Sequence, residues 1–202
     1  MNVAAFLHRA VASALLSGGL LAANAAAQTI DPASDGWHTW RVAASATAPA
    51  WCCLRWNTGR PVPQVCDLDS RTSDHNYSSM DVEVTGQIQI YALFDSGVPV
   101  RIRTLSPRCE VKSDSAITDL GTVSADASVA WLERIATPGA KLNEDIHASL
   151  SVHQGDRALR ALITVIENRT LDMGDRRSAL FWLVQSDSEL VSGYMDSLFA
   201  SR

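Results

Sequence analysis

Lysine is nearly missing from this chain. Lys112 and Lys141 are the only two, the fifteen arginines are scattered, and the formal net charge is −5. Nucleic-acid binding sets Lys and Arg against phosphates, and an electrostatic hold on anionic lipid needs a polybasic stretch, so both partner classes are excluded. The short motifs of catalysis are missing too. There is no Gly-x-Ser-x-Gly, no phosphate-binding Gly-rich loop and no His-Glu-x-x-His. No catalytic constellation remains, and no cofactor is expected. Cys-x-x-Cys, the usual spacing of dithiol enzymes and of paired zinc ligands, does not occur either. The histidines do not compensate for its absence. His147 and His153 are six apart and fall on different helical faces, His38 and His75 read as strand and loop residues, and His8 lies in the leader described next. After residue 27 no apolar run is long enough to span a bilayer.

The first 27 residues form a separate unit. Arg9 precedes an apolar run from Ala10 to Ala23, and Ala25 and Ala27 stand in A-x-A spacing. This predicts a secretory signal peptide cut between Ala27 and Gln28, with no membrane contact afterwards. Losing Arg9 would take the charge from −5 to −6. The sequons at Asn76 and Asn168 are read as chance matches.

The cysteines number four, Cys52, Cys53, Cys66 and Cys109. An even count behind a signal peptide predicts two disulfides. Neighbours on a strand point to opposite faces, so Cys52 and Cys53 would not bond each other. One is expected to pair with Cys66 and the other with Cys109. The alternative is a cysteine-dependent redox or metal-binding role for the same four residues. Trp37, Trp40, Trp51 and Trp56 crowd the same region. They either pack a small β core beside the disulfides or form an aromatic partner surface. Asp67, Asp69 and Asp74 make an acidic loop without the glycine and distal Glu of a calcium-binding hand, and a solvated loop is expected there.

Two periodicities divide the remainder. Strand-like alternation marks 37–43, 51–56, 87–94 and 98–105, with Asp95-Ser96-Gly97 as a hairpin loop and Pro61 and Pro63 as a turn. From residue 124 the period is helical, at 125–136, 142–153, 156–169, 174–185 and 189–200. Ala179 to Val184 is an unbroken apolar run, expected to be buried on most sides. Ser186 to Glu189 matches a capping box that opens the last helix. In that helix Leu190, Val191, Tyr194, Met195, Leu198 and Phe199 form an inner face, so a wet-backed cap of the stack is expected. A shift of 31 positions lays Ala148 on Ala179, Leu150 on Phe181, Val152 on Leu183 and Leu159 on Leu190, which reads as a repeated helical hairpin.

The stretch "DRRSALFWLVQSDSELV" resembles the bacterial short HEAT repeat, in which an Arg pair precedes an Ala-Leu-Phe-Trp-Leu core helix. The whole arrangement is similar to secreted bacterial HEAT-repeat proteins with an N-terminal Cys-Cys…Cys segment and a hairpin like residues 91–111. The resemblance implies architecture and no activity. The expected fold is α+β, with a signal peptide at 1–27, a disulfide-stapled β-rich segment at 28–115 and a short HEAT-like helical repeat at 124–202. The expected function is a non-enzymatic periplasmic or secreted module that binds an as yet unidentified protein partner or signal.

Overall fold

The computed structural model describes residue 30 and residues 34–70, 78–79 and 85–200. The expected signal peptide, His8, Asp74, His75 and the Asn76 sequon lie outside them. Among the described residues the chain is α+β: strands β1 (Gly36–Ala43), β2 (Trp51–Cys52), β3 (Leu54–Asn57), β4 (Arg60–Pro63), β5 (Cys66–Asp67), β6 (Ser78–Ser79), β7 (Gln87–Asp95), β8 (Val98–Leu105), β9 (Val111–Lys112) and β10 (Ile117–Thr122) precede the helices. The helices are α1 (Ala125–Ile135), α2 (Asn143–Val152), α3 (Asp156–Glu167), α4 (Met173–Leu183) and α5 (Glu189–Ala200).

Four strands form the central sheet in the order β10-β1-β7-β8, antiparallel except for the β10–β1 edge. Alternation along its strands makes two faces. Trp40, Val42, Ile88, Ile90, Ala92, Phe94 and Ile102 point towards the helices and join a cluster that continues through Leu132, Leu150, Leu162 and Leu183. Trp37 and Leu105 point the other way, where Cys66 and Leu68 of the disulfide segment cover them and Tyr91 and Leu93 pack at the margin. The sheet is therefore a middle layer, which is why both Trp37 and Trp40 are buried although they face opposite sides. The β7–β8 hairpin turns through Ser96 and Gly97 at φ 54° and 74°, the left-handed pair that matches strand twist in a two-residue loop.

Two strands differ from expectation. The predicted strand at 51–56 breaks at Cys53 into β2 and β3. The predicted turn at Pro61 and Pro63 is instead β4, paired antiparallel with β3 through a tight turn at Thr58 and Gly59, φ 47° and 80°. The register explains the tolerance of proline. With Asn57 opposite Arg60 next to the two-residue turn, the hydrogen-bonded pairs are 57/60 and 55/62. Pro61 and Pro63 fall at the intervening positions, where no donor is needed. Strand β10 was not anticipated, because "ITDLGT" lacks alternation and its residues are half-buried or exposed.

Two disulfides, Cys52–Cys109 and Cys53–Cys66, staple the covering layer. Beside them Asp69 is a hub. Its Oδ1 accepts from Trp37 Nε1 at 2.8 Å, and its Oδ2 accepts from Ser113 Oγ at 2.9 Å and from the Asp114 N–H at 2.6 Å. Donation from Trp37 and these neighbours holds its carboxyl below the usual carboxylate range, against the effect of burial. Asp69→Ala leaves the indole N–H of a buried tryptophan without its partner, and a loss of about 2–3 kcal/mol is expected by urea denaturation at pH 7. The Asp69 contribution is present above the ordinary aspartate pKa of 3.8 and fades as pH falls through the lower folded value.

Helices α2, α3 and α4 pack on one another, and α5 rests against α3 and barely touches α4, so of the two expected hairpins α2–α3 forms and α4–α5 does not close on itself. Ser124 and Asp172 cap α1 and α4 by accepting the Ala127 and Asp175 N–H groups. For α5 it is Ser188, rather than Ser186, that takes a backbone N–H, that of Leu190 at 3.2 Å. Positions 31 apart meet: His147 Nδ1 lies 3.0 Å from Ser178 Oγ across α2 and α4. Every residue from Ile146 to Val152 is buried, since α2 is packed between β8 and the other helices.

The corresponding helix α4 has no sheet on its far side, and there the expectation of a run buried on most sides is corrected. Ala179 and Leu183 are buried, but Phe181 is 57% exposed and Val184 45%. Six consecutive apolar residues cover every face of a helix, and α4 packs on only part of its circumference. The expected inner face of α5 is corrected in the same way. Val191 is buried and Leu190, Tyr194 and Met195 are half-buried, whereas Leu198 and Phe199 are exposed.

Candidate functional site

The residues singled out from sequence are mostly structural. All four cysteines are in disulfides, with Cys52 and Cys66 buried. Cys52 and Cys53 do bond in different directions. Of the two readings open for the tryptophans, the structure places Trp37, Trp40 and Trp51 in the interior, at 1%, 0% and 6% exposure. The side chain of Trp56 lies outside the described part. Asp67 and Asp69 spend their oxygens on donors, Asp67 on Lys112 Nζ at 2.8 Å and on the Asp69 and Ser70 N–H groups. Among the described residues no three His, Cys, Asp or Glu side chains are grouped to hold a metal ion.

His153 is the most enclosed titratable group. Its Nδ1 donates to the Ser149 carbonyl at 2.7 Å, so Nε2 is the acceptor and takes the Ser128 hydroxyl at 2.9 Å. Ser128 Oγ in turn accepts from Trp40 Nε1 at 3.0 Å. This chain ties β1, α1 and the end of α2 together and fixes the neutral tautomer. Burial pushes the imidazole down to about 4, and the same cause takes His147 to about 4 despite the opposing Asp175 carboxylate. Beside His153 the backbone completes the junction: Ser45 N–H donates to the Val152 carbonyl and Gln154 N–H to that of Ala43.

That junction forms the wall of a groove. The connection between β1 and β2 runs past the ends of α2 and α4 and leaves a cavity of about 390 Å³ lined by Thr47, Ala48, Pro49, Trp51, Ser151, Val152, Phe181, Trp182 and Gln185. A second cavity of about 240 Å³ shares Thr47 and Ser151 with it and continues to Asp156, Ser186, Asp187 and Ser188. The first is aromatic. The Trp182 ring meets Trp51 edge-on at 5.5 Å and Phe181 at 5.1 Å, so three rings support one another from the buried base of the groove to its exposed rim. The sequence reading missed Phe181, Trp182, Gln185 and the 47–49 turn. The signal was present in the 31-residue shift, which lays exposed Phe181 on Leu150, a residue buried against the sheet. A large aromatic at a repeat position that has no neighbour to cover it marks an open face.

No helix among the described residues is long and apolar enough to cross a membrane. No protein-family model matches the chain, and neither a curated protein nor a solved structure is similar to it at a significant level.

Proposed function

We propose that this protein is a non-enzymatic binding module of an oxidising compartment, periplasmic or secreted, and that the groove between the 45–50 connection and α4 is where its partner docks. The observation that carries the reading is Phe181, a large aromatic side chain 57% exposed at the rim of a cavity of about 390 Å³ whose base is Trp51 and Trp182. Mostly apolar concavities with a few polar groups are the usual form of a binding site, and exposed aromatics are typical anchors. Two disulfides and the signal-like leader support the compartment. The contact of His147 with Ser178, positions 31 apart on α2 and α4, supports a HEAT-like relationship, in which helical repeats supply surface and not chemistry. The redox or metal alternative is disfavoured by the pairing of all four cysteines and by the burial of Cys52 and Cys66.

Phe181→Ser is the discriminating variant. Phe181 makes little of the core, so the fold is expected to change in stability by no more than about 0.5 kcal/mol. Affinity capture from envelope extracts is expected to recover proteins with the wild type that the variant retains at least about tenfold less, the effect of losing one anchor. Recovery of the same set by both, or of nothing by either, would count against the groove.

A further inference from the structure

His153 stands where a helix has just ended. It is the C-cap of α2, in extended backbone at φ −69° and ψ 147°, and Gly155 two residues on has φ 93°, a value that glycine adopts without strain. The ring is therefore held by its contacts and not by a helix around it. On one side it is docked, with Nε2 on Ser128 Oγ and Nδ1 on the Ser149 carbonyl. On the other it lines the cavity of about 240 Å³, roomy enough for an imidazole, whose wall also carries Asp156, Asp187 and the hydroxyl of Ser188. The same residue pins the connection that leaves β1. Ala44 forms an antiparallel bridge with His153, flanked by the Ser45 N–H to the Val152 carbonyl at 2.9 Å and the Gln154 N–H to the Ala43 carbonyl at 3.0 Å.

The two sides suit different charge states. The docked position takes the neutral ring, because Ser128 Oγ already accepts from Trp40 and its hydroxyl hydrogen needs Nε2 as acceptor. The groups facing His153 on that side, Ser128 of α1, Trp40 and Ala44 from β1, and the Ser149 carbonyl of α2, carry no charge. The other imidazole of α2, His147, is turned to Ser178 and to Asp175 of α4. The charges lie on the cavity side. There α3 brings Asp156, with Arg160 3.9 Å from it, and the segment before α5 brings Asp187. Arg157 of α3 is paired with Glu133 of α1 at 3.0 Å. An imidazolium N–H in the cavity has carboxylates to accept it.

We propose that His153 is an acid-released latch: on taking a proton at Nε2 its ring leaves Ser128, turns with Gly155 as hinge into the cavity beside Asp156 and Asp187, and frees the 45–50 connection from the end of α2. Burial holds the docked imidazole down at about 4, so the latch is shut at neutral pH and loosens as pH falls below the ordinary histidine value of 6.5. Only this junction opens, while the sheet and the helices stay paired. Thr47, Ala48 and Pro49 wall the aromatic groove, so release reshapes it, but the latch stands whatever binds there.

Hydrogen exchange of the full mature protein, followed amide by amide by NMR from pH 7 to 4.5 and corrected for the intrinsic exchange rate, tests it. The Ser45 and Gln154 amides are expected to lose protection by about tenfold per pH unit below 6.5, the slope for one proton taken up on opening. Amides in the middle of β7, paired on both sides, are expected to stay at least about tenfold better protected at each pH. In Asp156→Asn/Asp187→Asn, where both replaced side chains are exposed, the release is expected to move to lower pH by about one unit. His153→Gln is expected to abolish the slope at Ser45 and Gln154, and His147→Gln to keep it.

Loss of protection at Ser45 and Gln154 in step with the β7 amides would overturn the latch, since the junction would then open only with the whole fold. A slope that persists in His153→Gln would do the same. So would a release that Asp156→Asn/Asp187→Asn leaves at the wild-type pH, a result that decides the matter even if His153→Gln does not fold.

Discussion

Acidification from pH 7 towards pH 4 is expected to destabilise the fold progressively, beginning near pH 6.5. His147 and His153 both have folded values of about 4 against an ordinary value of 6.5. Below 6.5 the unfolded chain takes up protons that the folded one refuses, so stability rises with pH in this range. The histidine contribution is fully present above pH 6.5 and is lost between there and about 4. At 1.36 kcal/mol per unit, the His153 shift corresponds to on the order of 3 kcal/mol, and His147, beside Asp175, to a similar or smaller amount. A domain of this size has only about 5–15 kcal/mol in total.

The structural reason is clearest at His153. A proton on Nε2 would face Ser128 Oγ, which already accepts from Trp40, and would leave the serine hydroxyl hydrogen without its acceptor. Urea midpoints measured from pH 7.5 to 4.5 are expected to fall steadily in the wild type. His153→Gln is expected to start about 2–4 kcal/mol lower, because the link between β1, α1 and α2 is broken, but to show a flatter profile. Equal slopes in the two proteins would remove His153 as the cause. Asp69 acts in a different window. Asp69 is held below the usual range, so its share is lost only under about pH 3.8.

The division into a strand half and a helix half was legible because period-2 and period-3.6 patterns are strong in "QIQIYALF" and in "DRALRALITVIENR", and all five helices lie within a few residues of where the pattern places them. That Cys52 and Cys53 bond elsewhere and not to each other followed from strand geometry, since adjacent side chains diverge, but which of them takes Cys66 and which Cys109 was not legible. What was not legible depends on neighbours distant in sequence. Strand β10 exists because β1 offers it a parallel edge, not because its residues prefer strand. The prolines of β4 read as a turn until the register of its pairing is known. Phe181 and Val184 looked like core because apolarity does not say which helix has a neighbour on its far side. That same gap hid the groove. The exposure of α4 is a property of the stack's edge, and the one hint in the chain was an aromatic residue at a repeat position that is aliphatic and buried in the preceding unit.

Removal of the two disulfides is expected to separate stability from function. In the chain-entropy picture, closing the 57-residue separation of Cys52 and Cys109 stabilises by about 4 kcal/mol, and the 13-residue separation of Cys53 and Cys66 by about 3 kcal/mol. Alanine is the right replacement, because Cys52 and Cys66 are buried and a serine hydroxyl would be left there without a partner. Both Cys52→Ala/Cys109→Ala and Cys53→Ala/Cys66→Ala are therefore expected to lower the urea midpoint, the first by more.

Their consequences for the groove differ. Cys52 directly follows Trp51, the ring at the base of the groove, and Cys109 lies just past Ser106, whose N–H donates to the Trp51 carbonyl at 2.7 Å. The Cys52–Cys109 bond thus holds the aromatic base from both sides. Cys53–Cys66 anchors the segment that covers the opposite face of the sheet, against Trp37 and Leu68. Under conditions where both variants remain folded, affinity capture from envelope extracts is expected to recover with Cys53→Ala/Cys66→Ala the same proteins as with wild type. It is expected to recover them several-fold less well with Cys52→Ala/Cys109→Ala, whose tryptophan fluorescence is altered by the loosened Trp51. If the two variants lose binding in proportion to their stability alone, the disulfide beside Trp51 acts only as a staple of the fold and has no part in shaping the groove.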